Sequence, residues 1–128
     1  MRFQLIVFDW DGTLYDSTGL ITRCIQDACT DVGAPRPSDV DAAYVIGLGL
    51  TDALRHVAPG LPEARYPELG ARYRHHYRAR QHELSLFPGT LEMLRALKAR
   101  QRWLGVATGK GRRGLDDALA DSQLKGLF

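Results

Sequence analysis

The sequence predicts an α/β protein in which a small parallel sheet is interrupted, after its first strand, by an all-helical insertion. Two short apolar runs rich in β-forming residues, 3–8 and 103–107, predict the strands. The region between them carries apolar residues at helical spacing and needs no strand. Each strand is followed directly by a polar, glycine-containing string, and this is where open α/β sheets bind ligands.

The first strand and the insertion follow from the order of apolar and turn-forming residues. An almost continuous apolar run such as residues 3–8 is typical of a strand covered on both faces. A helix then follows, which Gly33 ends and which the prolines after it cannot continue. Ser38 and Thr51 can each cap a further helix, and Pro67 fits the start of a fourth.

The core resumes after residue 87 with a helix that ends near residue 101, a strand over 103–107 and a last helix over 112–121. We therefore expect residues 1–15 and 87–128 to form a partial α/β core, and residues 16–86 to form the helical insertion. Open α/β sheets usually have about five or six strands, so this core is predicted to be incomplete. We expect either that the natural protein continues past Phe128 or that a second copy covers the edge, as a homo-oligomer or swapped dimer.

Composition narrows the range of partners. The 128 residues carry 17 Lys and Arg against 15 Asp and Glu, and a net charge of +2 does not by itself indicate nucleic acid or a membrane surface. The basic stretch 71–80 is interpreted as a solvated helix face rather than an RNA contact. Apolar stretches of about six residues are too short for a membrane span, which needs roughly 20. Cys24 and Cys29 are expected to be small buried side chains, and a cytoplasmic location is predicted.

The string that follows the first strand, D-W-D-G-T-L-Y-D-S at residues 9–17, carries the predicted chemistry. Asp9 and Asp11 can converge on one hard cation such as Mg²⁺. One of these carboxylates can then attack phosphorus while the other moves protons. Gly12 allows the backbone to bend tightly, so that free N–H groups can point toward a phosphate. The alternative is that the two acids only cap the turn that leaves the strand.

The second strand ends at Thr108, Gly109 and Lys110. A hydroxyl and free N–H groups between a strand end and a helix start suit an anion, so these residues are predicted to bind phosphate. Considered alone, Thr108 could equally well be a helix cap with no role in binding.

Residues 9–17 and 106–110 resemble motifs I and II of the haloacid dehalogenase superfamily, in particular its phosphoglycolate-phosphatase-like branch with a helical cap. The resemblance implies a Rossmann-like core, Mg²⁺ as cofactor and a small phosphorylated metabolite as substrate. It also implies that Asp9 is the nucleophile and a metal ligand, that Asp11 is the general acid/base and a metal ligand, and that Thr108 binds phosphate. Gly47 and Leu48 lie where that branch has a cap loop that faces the substrate; an ordinary helix connection is the alternative.

The later family motifs, a Lys and a pair of acids, have no match after Lys110, so the chain resembles the first part of a family member. Roughly another 80 to 100 residues would complete the core. There are three alternatives to a phosphatase. Dehalogenation does not need the acid at position 11, whereas a sugar phosphomutase and a truncated, non-catalytic binding or regulatory module both stay open.

Overall fold

The structure, a computed structural model, describes residues 2–128 and consists of two strands, six α-helices and three short 3₁₀ turns within that range. The elements in chain order are β1 (Leu5–Phe8), α1 (Thr18–Asp31), α2 (Asp39–Tyr44), α3 (Leu50–Val57), α4 (Tyr66–Arg80), α5 (Thr90–Ala99), β2 (Trp103–Val106) and α6 (Arg112–Leu119). The 3₁₀ turns are Glu63–Arg65, Gln81–Glu83 and Ser122–Leu124. The predicted α/β class is confirmed, with all four helices of the insertion lying between the two strands in sequence.

The two strands pair in parallel, with Leu5 opposite Trp103 and Phe8 opposite Val106. One more backbone hydrogen bond, from Ala107 N to the Phe8 carbonyl oxygen at 2.9 Å, extends the pairing past the end of β2. Because parallel strands point the same way, the segments that follow β1 and β2 leave the sheet at the same edge.

Most of the buried apolar residues form two separate clusters. The first lies among helices α1 to α4 and the second lies against the sheet, α5 and the C-terminal segment. The buried members of the first are Ile21, Ile25, Ala28, Cys29, Val32, Ala42, Val45, Ala53, Leu54, Ala58, Tyr66 and Leu69. Those of the second are Trp10, Leu14, Leu94, Leu104, Leu124 and Leu127. On this basis we propose that residues 16–86 and the two segments 1–15 and 87–128 are distinct domains.

The helix ends agree with the sequence at most positions, and one cap differs. Gly33 has a positive φ of 78° just after α1, and the hydroxyl of Ser38 accepts a hydrogen bond from Asp41 N at the start of α2, as expected. The predicted cap at Thr51 is wrong. The cap of α3 is Gly49, two residues earlier, because the Gly49 carbonyl oxygen accepts the first helical bond, from Ala53 N at 2.9 Å.

The prediction that the first strand is covered on both faces is also wrong. Ile6 and Phe8 pack against the second cluster, but Leu5 and Val7 on the opposite face are 57% and 53% exposed. Trp103, opposite Leu5 on β2, is 68% exposed. The helices of the described chain cover only one side of the sheet, so every second side chain of β1 faces solvent.

Cys24 and Cys29 are buried and unbonded, as expected. Burial raises the pKa of the Cys24 thiol to about 11, so this thiol stays protonated at neutral pH. Within residues 2–128, no helix has both the length and the apolar character needed to cross a bilayer.

Candidate active site

The segment after β1 folds into a tight turn around the carbonyl oxygen of Trp10. The backbone N–H groups of Thr13, Leu14 and Tyr15 all donate to this oxygen, at 3.2, 3.0 and 3.1 Å. Gly12 has a positive φ of 79°, and a Cβ at this position would lie 2.8 Å from Thr18 Cγ2. Both the backbone conformation and the lack of space therefore require glycine here.

Gly12 differs from the expectation in one respect. Its N–H donates to the Tyr15 carbonyl oxygen at 2.9 Å, so the turn itself uses the donor that was predicted to face a phosphate. Among residues 2–128, the N–H of the preceding residue, Asp11, has no hydrogen-bond acceptor. The donor that this turn offers to an anion thus belongs to Asp11.

Each acid of the turn is fixed through one carboxylate oxygen. Asp9 Oδ1 accepts a hydrogen bond from Trp10 N at 2.8 Å, and Asp11 Oδ1 accepts one from the Ser17 hydroxyl at 2.6 Å. In the described chain, the second oxygen of each carboxylate accepts no hydrogen bond from protein. Each side chain is therefore oriented and still has one oxygen available for chemistry.

The segment after β2 forms a second small turn at the same edge of the sheet. Lys110 N donates to Thr108 Oγ1 at 3.1 Å, which closes the turn just before α6. The N–H of Gly109 has no acceptor among residues 2–128. The Thr108 hydroxyl thus closes its own turn, with the free amide of Gly109 beside it. The alternative that Thr108 caps a helix is wrong, because the N-terminal cap of α6 is Gly111.

One cavity of about 520 Å³ contains most of the predicted site residues. It is lined by Asp9, Asp11, Thr108, Gly109 and Lys110 from the core, and by Gly47 and Leu48 from the helical insertion. Gly12 does not line it, because that residue belongs to the turn beneath Asp11. The two strand ends and the insertion therefore bring seven of the eight candidates to a single space.

The insertion touches the core directly at Gly109. A Cβ at this position would lie 2.5 Å from the Gly47 carbonyl oxygen and 2.6 Å from the Leu48 carbonyl oxygen, closer than any side-chain carbon fits. The loop between α2 and α3 thus rests on the backbone that follows β2. Glycine at 109 is what permits this approach.

The aromatic and basic residues of α4 are the part of the site that sequence reasoning missed. Tyr73, Arg74, Tyr77 and Arg78 all line the cavity, although both arginines were expected to point mainly outward. Lys110 Nζ donates to the Tyr77 hydroxyl at 3.2 Å and lies 4.6 Å from the centre of its ring. The sequence pattern that could have indicated them is the helical spacing of Leu69, Tyr73 and Tyr77. Both tyrosines pack against the first apolar cluster and also line the cavity.

The oxygen ligands at this site suit Mg²⁺, but they are too few to surround a metal ion with protein ligands alone. Within residues 2–128 no group of three or more His, Cys, Asp or Glu side chains is placed to hold a metal ion. Asp9 and Asp11 supply two carboxylates to one cavity, each with a free oxygen. Mg²⁺ is commonly held by one or two carboxylates, with waters and substrate phosphate completing its shell, so this pair fits it.

A parallel α/β core with an acid pair and a hydroxyl at its strand ends, facing an inserted helical unit, defines a recognised class of hydrolase. A sequence profile of the haloacid dehalogenase-like hydrolases matches residues 6–128. The chain therefore belongs to this family, and the resemblance inferred from its motifs is confirmed.

Individual relatives carry different names. Over 108 residues the chain is 38% identical to tyrosine-protein kinase PtkA of Mycobacterium tuberculosis, covering 84% of this chain and 36% of the kinase. It is 36% identical over 111 residues to a 5′-nucleotidase of Pseudomonas aeruginosa, covering 86% of this chain and 50% of that protein. It is 32% identical over 133 residues to phosphoglycolate phosphatase of Aliivibrio fischeri, covering 98% and 59%.

Solved structures support the same fold. A haloacid dehalogenase-like hydrolase from Bacteroides fragilis superposes with a TM-score of 0.87 at 22% identity, covering 99% of this chain and 61% of that one. The structure of PtkA superposes with a TM-score of 0.78 at 34% identity, covering 98% and 57%. The chain thus spans between about a third and three fifths of the proteins it matches.

Proposed function

We propose that this protein is a Mg²⁺-dependent phosphatase that hydrolyses a small phosphomonoester through an aspartyl-phosphate intermediate. One observation carries the proposal: Asp9, Asp11 and Thr108 line a single cavity at the carboxyl ends of the two parallel strands. Family membership and the relationship to phosphoglycolate phosphatase support it. We extend the proposal to a cytoplasmic enzyme whose substrate is a small phosphorylated metabolite similar to phosphoglycolate.

In the first proposed step, the free oxygen of Asp9 attacks the phosphorus atom of the ester. A bond forms between this oxygen and phosphorus, and the bond from phosphorus to the ester oxygen breaks. Asp11, protonated at this stage, gives its proton to the departing alcohol through the oxygen that Ser17 leaves free. The products of this step are the alcohol and phosphorylated Asp9.

In the second proposed step, Asp11 acts in the reverse direction. As a carboxylate it takes a proton from a water molecule, which attacks the phosphorus atom of the intermediate. The bond between phosphorus and Asp9 breaks, which releases inorganic phosphate and restores both acids to their starting protonation states. The hydrogen bond from Ser17 keeps Asp11 in one orientation for both transfers.

Phosphate binding is assigned to the turns at the two strand ends. The free N–H groups of Asp11 and Gly109, with the Thr108 hydroxyl and the Lys110 ammonium, supply donors and positive charge. Asp9, together with Asp11 through its backbone carbonyl oxygen, would hold Mg²⁺, which when bound would offset the negative charge that gathers on the phosphoryl group. Gly47 and Leu48 of the insertion are assigned to contact with the leaving group, and the insertion excludes water from it.

The test uses the 128-residue chain with Mg²⁺ and p-nitrophenyl phosphate. We expect the wild type to release inorganic phosphate and Asp9→Asn to lose at least about a thousandfold in rate, because the amide cannot attack phosphorus. Asp41→Asn, an exposed acid on α2 outside the cavity, is the matched control and should keep the wild-type rate.

Equal rates for the wild type and Asp9→Asn would overturn the enzymatic proposal and leave the non-catalytic module. With a sugar monophosphate as substrate, phosphate that appears on a second sugar position, rather than in solution, would identify the phosphomutase instead.

A further inference from the structure

The side chain of Lys110 is held at three points along its length. Its backbone N–H donates to Thr108 Oγ1 at 3.1 Å. Its stem runs along Gly114 of α6, where a Cβ would lie 3.5 Å from Lys110 Cγ. Its ammonium reaches Tyr77 of α4, with Nζ 3.2 Å from the hydroxyl oxygen and 4.6 Å from the ring centre. The side chain therefore crosses from the core to the helical insertion.

Tyr77 is a fixed partner for this ammonium. Its ring stacks on Tyr73, one helical turn earlier, with centroids 6.0 Å apart and an angle of 23° between the rings. Burial, with a smaller contribution from the nearby Asp11 carboxylate, raises the pKa of Tyr77 well above its usual value. The phenol therefore stays neutral around neutral pH. It accepts a hydrogen bond from the ammonium without neutralising the positive charge, as a phenolate anion would.

The ammonium of Lys110 is not paired with a carboxylate. Among residues 2–128, no acidic side chain lies within ion-pair distance of its ammonium. By contrast, Arg72, which lies on α4 outside the cavity, is paired with Asp31 at 2.9 Å. Lys110 and Tyr77 both line the cavity that contains Asp9 and Thr108, so a substrate phosphate there would meet an unneutralised cation.

We propose that Tyr77 is a positioning residue that holds the Lys110 ammonium at the phosphate site. The inference rests on the proposed function for the identity of the anion, and on the Tyr77–Lys110 contact for the role of the tyrosine. Without the ring and its hydroxyl, the four-carbon stem of Lys110 would release the ammonium to solvent. The positive charge would then be less often in place when a phosphate arrives.

The kinetic test compares Lys110→Met, Tyr77→Leu and Tyr77→Phe with the wild type, using p-nitrophenyl phosphate. The first two should raise KM about tenfold, because the cation is lost or released, and kcat should change less than about twofold. Tyr77→Phe keeps the ring and should raise KM only about two- to threefold. The double variant Lys110→Met/Tyr77→Leu should be no worse than Lys110→Met. Tyr44→Leu, an exposed tyrosine of α2 outside the cavity, is the control.

A second measurement reads the contact without turnover. Each protein is treated with a limiting amine-acetylating reagent, and modification at Lys110 is followed by peptide mass, with exposed Lys125 as internal reference. Lys110 should react about three- to tenfold faster relative to Lys125 in Tyr77→Leu than in the wild type or Tyr44→Leu. Binding of inorganic phosphate, measured by calorimetry, should weaken in the same variants.

The outcomes separate the two proposals. If the wild type binds phosphate but Tyr77→Leu binds it equally well, or if Lys110 reacts equally in both, the positioning role is overturned and the proposed function stands. If the wild type neither binds phosphate nor hydrolyses the ester, the proposed function is overturned, and this inference falls with it.

Discussion

The hydroxyl of Ser17 donates to Asp11 Oδ1 at 2.6 Å, although Ser17 stands where a helix-capping serine would. Ser17 is fully buried and precedes the first residue of α1, but its backbone is helical, with φ −117° and ψ −12°. A capping residue needs an extended backbone conformation, so the Ser17 side chain does not cap α1. The hydroxyl orients an acid of the site instead of stabilising the helix end.

Replacing this hydroxyl should therefore affect catalysis more than the helix. We expect Ser17→Ala to lower kcat about tenfold with KM little changed, because Asp11 loses its fixed orientation for proton transfer. The control is Ser38→Ala, which removes a true cap of α2 and should cost about 1 kcal/mol of stability without changing kcat. A folded Ser17→Ala protein with wild-type kcat would show that Asp11 does not depend on this bond.

The contact between Gly109 and the loop of the insertion provides a second prediction. In Gly109→Ala the new methyl group would overlap the carbonyl oxygens of Gly47 and Leu48, so the insertion must move away from the core. We expect kcat/KM to fall about 10- to 100-fold, because small displacements of the groups that position a substrate have effects of this size. Gly111→Ala, where nothing lies within 4 Å of the new carbon, should retain activity. Equal activity in the two variants would contradict a functional contact.

The acid dependence of stability should be traceable in part to Asp31. Hydrogen bonds from His76 at 2.6 Å and Arg72 at 2.9 Å lower the pKa of the Asp31 carboxyl below its usual value of 3.8. The carboxylate therefore stabilises the fold above that value, and the contribution is lost as pH falls through the lowered pKa. Urea denaturation should find Asp31→Asn less stable by up to about 1 kcal/mol at pH 7, and this difference should shrink as the pH is lowered below 3.8.

Asp52→Asn serves as the control for this comparison, because Asp52 has no basic partner among the described residues. A constant difference between Asp31→Asn and the wild type from pH 7 to pH 2 would contradict the assignment.

The uncovered face of the sheet predicts self-association. Leu5, Val7 and Trp103 form a contiguous apolar surface on the side that the helices leave open. Light scattering of the 128-residue chain should show mass that rises with concentration, and Val7→Lys should reduce it. Val40→Lys, which charges an equally exposed apolar position on α2, should not. A wild type that stays monomeric at all concentrations would contradict this.

The sequence could predict where the candidate site lies because the relevant signals are local. The apolar run of β1 ends abruptly at Asp9 and that of β2 ends shortly before Thr108, and parallel strands bring such ends together whatever the details of the fold. The order of the helices follows from equally local caps and turns, such as Ser38 and Gly33.

The features that were missed depend on contacts between distant segments. Lys110 and Tyr77 are 33 residues apart, and their contact depends on how α4 of the insertion lies against the turn after β2, which no local pattern encodes. The exposure of Val7 was missed because an apolar run indicates what a strand can bury, not what is present to cover it. The use of the Gly12 N–H within its own turn depends on hydrogen bonding that the residue type does not specify.

Trapping the phosphorylated residue tests the aspartyl-phosphate mechanism most directly. The chain is mixed with Mg²⁺ and excess p-nitrophenyl phosphate, quenched, and treated with borohydride, which reduces an aspartyl phosphate to homoserine; peptide mass then locates the change. We expect homoserine at position 9 in the wild type and none there in Asp9→Asn. Phosphate release with Asp9 unmodified, or with the modification at another residue, would contradict it.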